Sequence, residues 1–203
     1  MVRYRYIEQL VLQVYSSLPT IKFPIRPKEL IQYMPNCRYM SYEEFAKVTY
    51  CDVDTVVRIC ESESGCTQYD IANDRYLIIC NNDSWYFGNT LGRQRWTCAH
   101  EIGHVLCGHL PMAAAEMMSE NSMFRNDHRD YEREADFFAS NLLAPLPLFY
   151  MLNIKSPTDI RMTFGLSKTA SENKFNSFLK WDNYHRHGSW ENDICRLYSQ
   201  KGA

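Results

Sequence analysis

His100, Glu101 and His104 stand together in the run Trp96-Thr97-Cys98-Ala99-His100-Glu101-Ile102-Gly103-His104-Val105-Leu106. On a helix, residues four apart lie on one face, so both imidazoles can reach a single cation. Glu101 follows the first histidine, which sets its carboxylate beside such an ion rather than on it. From there it can take a proton from a metal-polarised water. Zinc brings the pKa of a bound water toward neutrality, so a carboxylate can complete its activation at cellular pH. Ile102, Val105 and Leu106 make the helix largely apolar. Two histidines in that setting need partners, and a metal supplies them where a solvated helix face would not.

A catalytic zinc takes three protein ligands and keeps a fourth position open. The run Tyr131-Glu132-Arg133-Glu134-Ala135-Asp136 offers the third ligand. Glu132 and Asp136 are one helical turn apart and share a face, and Ala135 and Ala139 would let this helix pack close to the first. Glu132 is therefore expected on the metal, with Asp136 accepting the outer N–H of a ligating histidine. Glu134 is the alternative ligand, but it points roughly 160° away from Asp136, which makes the two hard to use together. Cys107, a turn beyond His104, reads as core. His109 reads as structural, on the side of the helix opposite His100. His128, Tyr131, His185 and His187 each offer a proton donor or oxyanion stabiliser, and the sequence does not choose among them.

Positioning elements can be read on either side of these runs. Apolar residues Tyr6, Leu10, Val11, Val14 and Tyr15 recur at helical spacing, so residues 2–18 are expected to form a helix, broken by Pro24 and Pro27. Residues 28–33 and 42–48 read as short helices joined by a loop around Pro35-Asn36. The β-branched runs at 56–60 and 76–80 read as strands, and turn formers Gly65, Asn73 and Asp74 lie between them. A small antiparallel sheet of about three strands follows. Helices are expected at 95–110 and 131–143, the second stopped by Pro145 and Pro147. Residues 158–179 carry a helix-turn-helix-like pattern around Phe164-Gly165-Leu166-Ser167. The segment after Trp181 is polar and aromatic and has no clear assignment. Residues 1–50 are thus expected as a helical segment of the domain whose core is 51–180, with 181–203 as its tail.

The 203 residues suffice for one domain with a real core. A formal charge of −2 gives no global basic signal, so direct nucleic-acid binding is not expected. No apolar stretch is long enough to span a membrane, and residues 1–8 are charged and amphipathic, without a signal-peptide core. A cytoplasmic location is expected. The eight cysteines contain no CxxC pair, and in a reducing compartment they are expected as free thiols.

The first helix motif, together with Glu132-Arg133-Glu134-Ala135-Asp136-Phe137-Phe138-Ala139 and Leu142-Leu143-Ala144-Pro145, resembles the ImmA/IrrE family of zinc metallopeptidases. The segment Phe164-Gly165-Leu166-Ser167 with Ala170 is similar to the part of that family that follows the zinc helices. The strand at 76–80 is similar to the one that precedes the active-site helix in zincins. The resemblance covers roughly residues 55–175. It implies an α+β, zincin-like domain, with a small sheet packed on the HExxH helix and a second ligand-bearing helix. It also implies Zn2+ on His100, His104 and Glu132, with Glu101 as base. The family often has asparagine at the place of Asp136, and either residue can accept a histidine N–H. Members commonly cleave a helix-turn-helix transcriptional repressor in phages, mobile elements or stress responses. The expected function is therefore that of a site-specific zinc endopeptidase. The other reading is a zinc-binding regulator that sequesters a repressor, or acts in a toxin–antitoxin pair, without proteolysis.

Overall fold

A computed structural model describes residues 1–70, 73–83, 88–110, 127–184 and 188–202. Within them the fold is α+β, and no helix is long and apolar enough to cross a membrane. The chain divides into two compact units, Met1–Arg3 with Arg26–Ala139 and Tyr4–Ile25 with Ser140–Ala203.

The first unit holds a sheet of β1 (Cys37–Ser41), β2 (Gly65–Asp70) and β3 (Arg75–Cys80) in the order β1-β3-β2. β2 runs antiparallel to β3, from Gly65 opposite Cys80 to Asp70 opposite Arg75. β1 runs parallel to β3, so the sheet is mixed. A parallel pair needs a crossover. Here it includes α3 (Tyr42–Thr49) and α4 (Val53–Cys60). Ser41 opens α3 with a capping box, in which its side chain accepts from the Glu44 N–H and the Glu44 carboxylate accepts from the Ser41 N–H.

The run expected as a strand at 56–60 is therefore helical, and the third strand is Cys37–Ser41, in the stretch read as loop and helix flank. Asp52 supplies the reason by accepting the Thr55 N–H at 2.7 Å as an N-cap. Val53, Val56, Val57 and Cys60 then share one helical stripe, packed on a core of Met40, Tyr42, Phe45, Ala46 and Ile79. A cap and a 3.6-residue stripe outweigh the β propensity of valine and isoleucine, which depends on context.

Helix α5 (Leu91–Leu106) begins at Thr90, whose side chain accepts from the Arg93 N–H. α6 spans Asp127–Leu143. Gly103 fixes their approach, because a Cβ there would lie 3.1 Å from the Ala135 Cα and 3.2 Å from its carbonyl oxygen. The glycine of the HExxH run thus lets α6 come close enough to present its carboxylates to the two histidines.

The second unit is helical, with α1 (Tyr4–Ser17), α7 (Leu148–Met151), α8 (Pro157–Phe164), α9 (Lys168–Tyr184) and α10 (Ser189–Lys201). α1 buries Ile7, Leu10, Val11 and Tyr15 at helical spacing, and the Tyr15 hydroxyl donates to the Leu142 carbonyl at 2.6 Å. The Phe149 ring stacks on Phe164 and leans on Phe178. Gly165, at φ 62°, ends α8, and the chain turns into α9, as the helix-turn-helix-like pattern led one to expect. The polar tail becomes α10, anchored by buried Trp190 and Ile194, one turn apart.

Candidate metal centre

The Nε2 atoms of His100 and His104 lie 3.0 Å apart. The Glu132 carboxylate closes the set, with Oε2 3.2 Å from His100 Nε2 and Oε1 3.5 Å from His104 Nε2. Donors held about 2.0–2.1 Å from a tetrahedral zinc stand about 3.3 Å from one another, by the geometry of such sites. The three distances straddle that value, so the donor set fits the ion.

Each histidine is held from behind. His100 Nδ1 is 3.0 Å from Asp136 Oδ1. An ionised carboxylate only accepts, so Nδ1 carries the proton and Nε2 turns a lone pair inward. His104 Nδ1 is 2.9 Å from His109 Nδ1, and His109 Nε2 is 3.0 Å from Glu134 Oε2. The proton on His109 Nε2 faces the carboxylate, its Nδ1 then accepts from His104 Nδ1–H, and His104 Nε2 is left free of a proton.

Glu134 is clamped in turn by Arg3. The Arg3 backbone N–H donates to Oε1 at 2.7 Å, and the guanidinium donates to both oxygens. Another guanidinium N–H reaches the Cys107 carbonyl at 3.0 Å. His109 is 3% exposed and Glu134 2%, so the inner end of this chain of contacts is buried, while Arg3 at its outer end is partly exposed. Burial would raise the Glu134 carboxyl, but hydrogen bonds from Arg3 and His109 outweigh it and hold the group at about 2.

Burial disfavours charge on His100, yet its hydrogen bonds to Asp136 and Glu132 carry it up to about 10. Burial, then the neighbouring His100 charge, push His104 down to about 4. The two carboxylates thus favour a second proton on His100, at Nε2, and a divalent ion bound there would displace it.

Glu101 is buried against the sheet, where Thr67 Oγ1 on β2 donates to its Oε2 at 2.6 Å. Burial raises its carboxyl above the ordinary range, against the hydrogen bond from Thr67.

The structure thus brings His100, His104, Glu132, Asp136 and Glu101 together, and it puts Glu134 to a use other than ligation. Cys107, His109 and Glu134 also lie within reach of a common point. Arg3 already supplies the positive charge there, and His109 Nδ1 is engaged by His104. Cys107 is buried, and burial with the nearby Glu134 charge pushes its thiol up to about 12. His109 stacks on Tyr131 with ring centroids 4.7 Å apart, so Tyr131 packs behind the site. His185 and His187 lie outside the described residues, as does the side chain of His128.

A helix continued to residue 110 would put His109 on the side opposite His100. The helix stops at Leu106, and Gly108, at φ 73°, swings the chain so that the His109 ring returns to His104. The glycine before His109 was the available signal. Arg3 had none, being 131 residues from its partner.

A small mixed sheet, a helix bearing the HExxH run and a second helix that adds a carboxylate define a zincin-like domain with a candidate metal site. Residues 56–176 match the model of the peptidase M78 family, described as the IrrE N-terminal-like domain. The match takes in more than half of the chain, and the chain belongs to that family. Comparison with curated proteins found no match. Arg3 lies outside the matched segment.

Proposed function

We propose that the protein is a zinc-dependent endopeptidase, acting in the cytoplasm, that cuts a helix-turn-helix transcriptional repressor at one or very few sites. The observation that carries this reading is the convergence of His100, His104 and Glu132 beside a carboxylate that is not a ligand, Glu101. A bare zinc-binding module has no need of that fourth group.

His100, His104 and Glu132 would hold the zinc, which supplies Lewis-acid polarisation of a peptide carbonyl and of water. β2 is an edge of its sheet and carries Thr67 next to Glu101. A substrate strand adding antiparallel along β2 would find its backbone paired and its carbonyl near the site. Glu101, held by Thr67, takes the proton of the attacking water and delivers it to the leaving amine. Asp136 and His109 keep the ligand nitrogens in their binding tautomers.

The repressor as substrate rests on the resemblance to the family. The test mixes the protein with the helix-turn-helix repressor encoded beside it. Cutting is expected at one or few positions, and Glu101→Gln should lower the rate by about 10²- to 10⁴-fold with zinc content unchanged, since glutamine cannot accept the proton. Tight binding without cleavage, equal in wild type and Glu101→Gln, would contradict the reading and favour sequestration.

A further inference from the structure

Cys60 closes α4 and Cys66 is the second residue of β2, and their Sγ atoms lie 2.6 Å apart. A covalent S–S bond is about 2.05 Å long, so little movement separates this contact from a bond. The contact is built by its surroundings. The Ser62 hydroxyl accepts the backbone N–H groups of Ser64 and Gly65, which folds the intervening turn back on itself. Gly65 lies so close to the body of the unit that a Cβ would stand 2.7 Å from Thr97 Cγ2 and 3.0 Å from the Ile79 carbonyl. The Cys66 thiol donates to the Cys60 sulfur, and the Tyr42 hydroxyl donates to the Ser62 carbonyl at 2.8 Å, which pins the turn between them. Both cysteines are partly exposed, whereas Cys80, Cys98 and Cys107 are buried.

We propose that Cys60 and Cys66 form a peroxide-reactive dithiol, a modification site in which Cys60 is oxidised first and Cys66 resolves it to a disulfide. The Cys60 thiolate attacks one oxygen of hydrogen peroxide. The O–O bond breaks, Cys60 becomes a sulfenic acid, and hydroxide leaves to be protonated to water. The Cys66 sulfur then attacks the Cys60 sulfur, an S–S bond forms, and a second water departs with the Cys66 proton. One peroxide is reduced to two waters and two thiols are oxidised to one disulfide. The hydrogen bond from Cys66 holds the Cys60 thiol below its ordinary range against the opposing effect of burial, and the lowered pKa favours the attacking thiolate. Cys66 stands one residue before Thr67, so the modification falls on the strand that positions Glu101. The inference uses no metal and stands apart from the peptidase reading.

The full-length reduced protein is treated with one equivalent of hydrogen peroxide at neutral pH, and remaining thiols are blocked with N-ethylmaleimide. Digestion after Glu61 and Glu63 separates the two cysteines, leaving their fragments joined only by a disulfide. The expected product is that linked pair, formed at least about tenfold faster than any other thiol is consumed, as a lowered thiol pKa and a waiting partner imply. Cys66→Ser should instead accumulate a sulfenic acid on Cys60 that dimedone traps. Absence of the linked fragments in wild type, with Cys60 alkylated as completely as the other thiols, overturns the proposal.

Discussion

Each unit of the chain buries a charged side chain, and the two are treated in opposite ways. In the first, Glu134 receives the Arg3 backbone N–H, the Arg3 guanidinium and the His109 ring, and its carboxyl is held at about 2. In the second, Lys174 extends to the Ser140 carbonyl at 3.1 Å and hydroxyl at 2.7 Å, and burial lowers its amine to about 7. Glu134 is stabilised as an ion and passes its orientation on to His109 and so to His104. Burial works against the charged form of Lys174, which ties only a helix end. A buried polar group whose charge is fully answered and whose contacts lead to a pair of converging nitrogens belongs to a site. One that ends on a single serine belongs to the packing.

That contrast can be broken most sharply through metal affinity. Glu132→Ala should weaken zinc binding by several orders of magnitude, measured by competition with a chelator. His109→Phe keeps a ring against Tyr131 but removes the acceptor of His104 Nδ1–H. It should weaken binding by about 10- to 100-fold, as loss of an outer hydrogen bond to a ligating histidine does, and Asp136→Ala should do the same through His100. Unchanged affinity in His109→Phe would reduce the Glu134 arrangement to packing, like that of Lys174.

Arg3→Met leaves Glu134 buried with one partner fewer. Breaking a fully buried pair costs about 3–5 kcal/mol, and partial exposure of Arg3 reduces the expected loss to about 2–3 kcal/mol in chemical denaturation. The matching change in the second unit, Lys174→Met, should be neutral or stabilising at pH 7.

The two also separate in their pH dependence. The Lys174 amine is lowered from 10.5 in the unfolded chain to about 7 in the folded one. Between those values the unfolded state binds more protons, so the Lys174 contribution to stability rises with pH across that window and is flat below it. Its slope can reach about 1.4 kcal/mol per pH unit, and Lys174→Met should remove it.

The parts of the site that were legible in the sequence are those with local periodicity. His100 and His104 share a face by their spacing, Glu132 and Asp136 by theirs, and Ala135 and Ala139 mark where the helices meet. The strand at 76–80 was equally plain, because a β-branched run buried on its sheet has no competing helical stripe. Residues 56–60 misled because the valines that favour a strand also line one face of a helix, and Asp52 decides between the two by capping. The chain from His104 to Arg3 was hidden for two physical reasons. Gly108 breaks the helical phase on which the placement of His109 depended, and a contact across 131 residues leaves no periodic trace.

The most direct measurement is the zinc content of the purified protein beside His100→Ala, His104→Ala and the double variant. The account predicts about one zinc per chain in wild type, strong loss in either single variant and none in the double variant, with thermal stability falling in step as the stabilising ion is lost. Full zinc occupancy in the double histidine variant would contradict it.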